Sequence, residues 1–211
     1  MSIWQKLKSR FHLATSYRWF LSLENDLNRM GLSKPSVVFD VGAHLGQTSL
    51  HFRKCFPSAS IHSFEPVLDN FEKLRSNTER KKKIYTNHLA LGASKDTVKM
   101  SRGSSSQTHQ VYCKTEKPLK NEGTPSVRME TIDSYMLQNQ IPQIDLLKID
   151  VEGYEIEVLR GAKNAITNGN INIILAECDF DSKDMQHTTF NDLWNHLQDK
   201  EFSFYGLYDV I

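Results

Sequence analysis

The chain has 211 residues and a mass of 24.3 kDa, enough for one full-sized domain and too little for two of ordinary size. Its 26 Lys and Arg against 25 Asp and Glu leave a formal charge of +1, which removes the case for a charge-driven nucleic-acid partner, and 39% apolar residues exclude disorder as the main state. No apolar run approaches the roughly 20 residues of a membrane span and no apolar signal core opens the chain, so the expected location is the cytoplasm.

Residues 1–34 read as a basic amphipathic helical segment. Ile3, Trp4, Leu7, Phe11 and Ala14 recur at helical spacing with Lys6, Lys8, Arg10 and Arg18 among them, and no acid precedes Glu24. Such a helix packs on the domain that follows; its other use is peripheral contact with an anionic membrane surface. Gly31 and Pro35 end it. From 36 onward, strand-like runs alternate with helical patterns: a strand at 36–41, a helix at 47–55, a strand at 60–64, a helix at 67–78 and a strand at 84–88. Apolar runs at 144–149 and 171–176 bracket a helix over 154–166. Repeated strand-helix-strand units require crossover connections, which predicts an α/β fold with a doubly wound, mostly parallel sheet over 35–211.

One interval departs from the alternation. Residues 92–125 are rich in Ser, Thr, Lys and Gly and read as an insertion or lid carrying a hairpin near 110–114, with His109 as a candidate contact on closure. Cys55, Cys113 and Cys178 form neither a disulfide framework nor a CxxC motif. Arg80 to Lys83 read as a solvated turn, since no aromatic residue is interleaved with them.

Candidate chemistry gathers where the first strand gives way to the first helix of the domain. Asp40, Gly42 and Gly46 follow the pattern D-x-G-x-x-x-G, and glycines there let the backbone approach a ligand at a helix N-terminus. The pattern is not the G-x-G-x-x-G of a pyrophosphate-binding turn, which argues against a nucleotide-dependent oxidoreductase. Glu65, at the end of the second strand, is placed to accept hydrogen bonds from a ribose diol. Asp40 beside the turn repels a pyrophosphate and attracts a sulfonium or ammonium group.

Four segments, FDVGAHLGQT (39–48), FEP (64–66), VRMETIDS (127–134) and IDLLKIDVEGYEIEVLRGA (144–162), resemble the signature blocks of the FkbM family of S-adenosylmethionine-dependent methyltransferases, in the same order along the chain. The resemblance implies a Rossmann-like class I methyltransferase fold, S-adenosylmethionine as cofactor and methyl transfer to a hydroxyl oxygen, commonly on sugars or natural-product scaffolds. Carried onto this sequence, it implies that Asp40, Gly42, Ala43, His44 and Gly46 form the methionine-side turn, with Thr48 just inside the helix. Glu65 would hold the ribose, Pro66, Ala90 and Leu91 the adenine, and Asp150 would face the methyl group and the acceptor. His44 stands where the family often has asparagine, and an imidazole supplies the same donor. The family also leads one to expect a closing hairpin near 203–208. With the sequence ending at Ile211, the expectation is a sheet edge open to a second copy or another partner.

If the fourth and fifth strands of a parallel sheet are neighbours, Asp150 and Glu177 stand about 5 Å apart at their ends. Either acts as general base for a small-molecule or glycan acceptor, or the two join Asp179 in holding Mg²⁺. Glu152 is a candidate for the substrate shelf, while Glu155 reads as an acid complementing a helix dipole, and Arg160 as a partner of Glu157. Leu193, Trp194 and Leu197 read as a core-facing stripe with His196 toward solvent. Against the methyltransferase stands a non-catalytic interaction module that keeps the fold.

Overall fold

The computed structural model describes residues 23–100, 111–112, 126–180 and 187–208. The stripe from Ile3 to Ala14, His109, Cys113 and most of the 92–125 insertion lie outside them. The chain divides into two compact units. In the smaller, helix α1 (23–29) carries Asp26, whose carboxylate accepts from the Tyr208 hydroxyl at 2.9 Å and the Tyr205 hydroxyl at 3.3 Å and pairs with Arg29. Residues 203–208 form no strand, contrary to the closing hairpin expected there. Both tyrosines are instead anchored to the helix.

The larger unit, Pro35–Phe202, is built on a five-stranded parallel sheet. In chain order come β1 (Val37–Val41), α2 (Gln47–Cys55), β2 (Ser60–Phe64), α3 (Leu68–Thr78), β3 (Ile84–Asn87), β4 (Ala90–Leu91), β5 (Asp96–Met100), β6 (Val111–Tyr112) and β7 (Ser126–Glu130). They are followed by α4 (Ile132–Gln138), β8 (Ile144–Ile149), α5 (Glu155–Arg160), α6 (Lys163–Thr167), β9 (Ile171–Ala176) and α7 (Phe190–Leu197). The main sheet has the order β3-β2-β1-β8-β9, with every pair parallel. The order reverses direction between β1 and β8, so a crevice opens at the C-terminal ends of those two strands, the place where open α/β sheets bind ligands. β1 and β8 are apolar almost throughout because both of their faces are covered. Phe39, Phe64, Leu147, Ile149 and Leu159 are fully buried, each worth roughly 1.5–3 kcal/mol relative to exposure. At the opposite end of the sheet, Asp145 accepts from the backbone of Ser36 and Val37 and from Asn172, which staples β1, β8 and β9 together away from the crevice.

The interval after Gly92 holds more strand than the hairpin expected near 110–114: β4-β7-β5-β6 form a second, mixed sheet, with β5 antiparallel to both β6 and β7. Two-residue strands such as β4 and β6 carry too few positions for a period to show. The helix over 154–166 is broken at Gly161, where an added Cβ would lie 2.1 Å from the Gly92 carbonyl oxygen. The Asp133 carboxylate accepts from Asn164 and Ala165 N–H and starts α6 afresh. Among the described residues, no helix is long and apolar enough to cross a membrane.

Candidate active site

The β1–α2 turn is shaped by left-handed backbone. Gly42, His44 and Gly46 have φ of 78°, 50° and 88°, and a Cβ on Gly42 would sit 1.8 Å from the Asp150 carbonyl oxygen. Only glycine lets the turn pass so close to the end of β8. Gly42 and Ala43 N–H donate to the Phe64 carbonyl, and His44 N–H donates to Glu65 Oε2 at 2.9 Å. The other oxygen of Glu65 accepts from Val67 N–H at 2.8 Å, so one carboxylate ties the turn to the start of α3. Glu65 is only 5% exposed, and burial pushes its pKa up to about 7 despite the hydrogen bonds from Val67 and His44.

Beneath the turn lies an ion cluster that sequence reasoning missed. Register pairs Asp40 with Lys148 across β1 and β8, and Asp40 with Ser63 across β1 and β2. The Lys148 ammonium, buried, lies 3.4 Å from Asp40 Oδ1 and 3.0 Å from Asp150 Oδ2. Ser49 Oγ donates to Asp40 Oδ2 at 2.5 Å and meets Ser63 Oγ at 2.7 Å. Burial would strip the proton from Lys148, but the two aspartates outweigh it and hold its pKa above the ordinary value. The signal was present in the sequence: a lysine at the apolar C-terminal end of a two-sided strand must find an acid partner. Ser49 and Ser63 carried no comparable signal, since small hydroxyls pass as filler.

Asp150 and Glu177 follow the paired ends of β8 and β9, and Glu152 joins them. One oxygen from each of the three carboxylates lies within 4.8 Å of the others. Asp179 does not complete this group; its backbone pairs instead with residues 188–190, through Asp179 N–H to Thr188 O and Phe190 N–H to Asp179 O. Burial alone would raise the Asp150 pKa, but Lys148 holds it below the usual carboxylate range. Glu177 is pushed the other way, up to about 8, by burial and by the Asp150 charge it faces. The pair therefore shares a proton at neutral pH, with Asp150 ionised and Glu177 protonated and hydrogen-bonded to it. Glu152 sits at φ 56° and lies 3.6 Å from His187 Nε2; burial and the Asp150 charge raise its pKa.

The remaining predicted residues have other surroundings. Thr48 is half-buried in the first turn of α2, and Pro66 offers its carbonyl to His88 Nε2 at 3.0 Å. Ala90 and Leu91 are buried in β4, paired with Met129 and Glu130. Glu155 does more than complement a dipole: fully buried, it accepts from Val151 and Gly153 N–H and from the Thr188 hydroxyl, locking the loop that carries Glu152. Arg160 does pair with Glu157. Trp194 is not core-facing; it is 38% exposed while Leu193 takes the buried side of α7.

Residues 40–204 match the domain described as "Methyltransferase FkbM domain". Among curated proteins, the chain is similar to the hexuronic acid methyltransferase AglP of Haloferax volcanii, 27% identical over 168 residues that cover 77% of this chain and 66% of that one. It is also similar to Methyltransferase 1 of Beauveria bassiana, 24% identical over 162 residues, 68% of this chain and 65% of that one. The matched stretch thus spans just under two thirds of each relative's own length. Among solved structures, methyltransferase FkbM from Methylobacillus flagellatus KT overlaps with a TM-score of 0.44 at 17% identity, over 64% of this chain and 31% of that one.

Proposed function

Because the chain belongs to the FkbM methyltransferase family, we propose that it transfers a methyl group from S-adenosylmethionine to a hydroxyl oxygen of a sugar or glycosylated small molecule. The observation that carries the reading is the placing of a glycine turn and two ion-paired aspartates at the one point where the strand order reverses. The donor set suits this cofactor. Glu65 is an acceptor at the end of β2, already ordered by Val67 and His44 N–H, of the kind a ribose diol uses. Asp40, Gly42, Ala43, His44 and Gly46 would hold the amino-acid arm, with Glu65 on the ribose. The bound cofactor supplies an electrophilic methyl on a sulfonium.

Lys148 keeps Asp150 ionised, a fixed negative charge at the crevice that would favour a cationic group there. Glu177, raised to about 8, is the better matched base for an acceptor hydroxyl: once ionised it would take the hydroxyl proton while the methyl passes from sulfur to oxygen, the S–C bond breaking and the neutral thioether leaving. Asp150 and Glu152 stand beside Glu177, with one oxygen of each of the three carboxylates within 4.8 Å of the others. The three carboxylates also have the spacing of a Mg²⁺ donor set, but a cation there must displace the Glu177 proton and compete with Lys148 for Asp150. The route through Glu177 uses no ion, and chelator-insensitive turnover is expected.

Calorimetric titration with S-adenosylhomocysteine tests the reading. Micromolar binding to the wild type is expected, weakened at least about tenfold in Glu65→Ala by loss of the ribose hydrogen bonds. Binding of NADH in its place would overturn the proposal, and binding of neither would favour a non-catalytic module.

A further inference from the structure

Asp40 carries a charge closed off from solvent. Its side chain is fully buried, with the Ser49 hydroxyl donating to Oδ2 at 2.5 Å and the Lys148 ammonium 3.4 Å from Oδ1. Lys148 is surrounded in turn: besides Asp40 it meets Asp150 Oδ2 at 3.0 Å and the Gly42 carbonyl at 3.5 Å. An ammonium has three N–H donors, so these three acceptors leave none for a phosphate or carboxylate at the crevice. Exposure rises steeply along the row, from 0% for the Asp40 side chain through 8% for Lys148 to 43% for Asp150. Asp150 is its open end. Two aspartates about one lysine leave the row with net negative charge, and Asp40 is what leaves it: with Asp40 neutral, Lys148 would cancel Asp150. Buried charges are little screened by salt, so a charge removed from Asp40 is felt at the open end.

We propose that Asp40 is a positioning residue that sets the charge preference of the cofactor site: touching no ligand and acting through Lys148, it keeps Asp150 uncancelled, so that the site favours the cationic sulfonium over the neutral thioether left after transfer. This rests on the methyl-transfer reading and adds to it the residue that tells loaded from spent cofactor. Asp40 then bears on the amino-acid arm at one remove. Ligand charge separates this role from a structural one, because loss of the turn's shape weakens ligands of like shape alike, whereas loss of a fixed charge weakens the more positive one.

Calorimetry on the full chain compares S-adenosylhomocysteine with sinefungin, the analogue in which an amine-bearing carbon replaces the methylsulfonium and restores its positive charge. The preference for sinefungin is expected to fall about tenfold in Asp40→Asn. In Asp40→Asn/Lys148→Met, which removes one charge of each sign, it should return to within about threefold of the wild type. That return is a result that damage to the turn cannot produce. Equal weakening of both ligands in Asp40→Asn, an unchanged preference there, or a preference that stays low in the double variant overturns the proposal and leaves the methyl-transfer reading standing. Should Asp40→Asn not fold, the double variant carries the test by itself, since a preference lost in it has the same meaning. If the wild type binds neither ligand, the methyl-transfer reading itself has failed.

Discussion

Lys148 and Glu177 are governed by the same neighbour, Asp150, in opposite senses. Lys148 is stabilised as a cation between Asp40 and Asp150, whereas Glu177 is driven toward its neutral form by facing Asp150 from the next strand. Lys148→Met leaves Asp40 charged and buried without its cation, so urea denaturation should show a loss of about 3–5 kcal/mol, largely restored by adding Asp40→Asn. For catalysis, Glu177 must be ionised to accept a proton, so kcat/KM should rise with pH toward a plateau above about 8. Glu177→Gln should flatten that profile and lower the rate by about 10²–10⁴-fold; an unchanged profile would assign the base elsewhere. Asp150 and Glu177 were legible as strand-end acids. Their division of roles was not, because it depends on Lys148 lying on the Asp150 side.

The β1–α2 turn is the element on which the site depends. Gly42→Ala introduces a Cβ at φ 78° against the Asp150 backbone, which cannot rotate away as a side chain would. A loss of roughly 2–4 kcal/mol is expected from strain and displacement, together with loss of detectable S-adenosylhomocysteine binding. Gly169→Ala is the control: its φ is 67° but nothing lies within 4 Å of the added atom. It should cost only the backbone strain of about 1–2 kcal/mol and leave binding intact. Thermal unfolding and calorimetry on the two variants separate strain from collision. The glycine pattern announced the turn in the sequence. The break at Gly161 stayed hidden, because the carbonyl of Gly92 that forbids a side chain there comes from a distant stretch.

For the molecule as a whole, titratable groups shifted by desolvation and by neighbouring charge set the response to pH. Glu65 and Glu177 have folded pKa values of about 7 and 8, above the ordinary carboxylate range, so folding favours their protonated forms. That stability is fully present below the unfolded pKa and is lost as pH rises through the folded values. His62, buried against Tyr135 and lowered to about 4, acts in the opposite window, losing its contribution as pH falls from its ordinary value toward 4. Urea midpoints should therefore fall between about pH 6.5 and 8, and Glu65→Gln with Glu177→Gln should remove most of that slope. The alternation of β-branched runs with helical patterns determined the parallel α/β sheet, since a parallel pair needs a crossover and a two-sided strand needs apolar residues. Local turn chemistry likewise marked 40–46 and Glu65. Tertiary structure alone decided that Lys148 joins Asp40 to Asp150, that Glu152 rather than Asp179 completes the carboxylate group, and that Trp194 faces outward. Each of these is set by strand register or by which face of α7 Leu193 claims, and neither quantity is encoded in the spacing of residues within one segment.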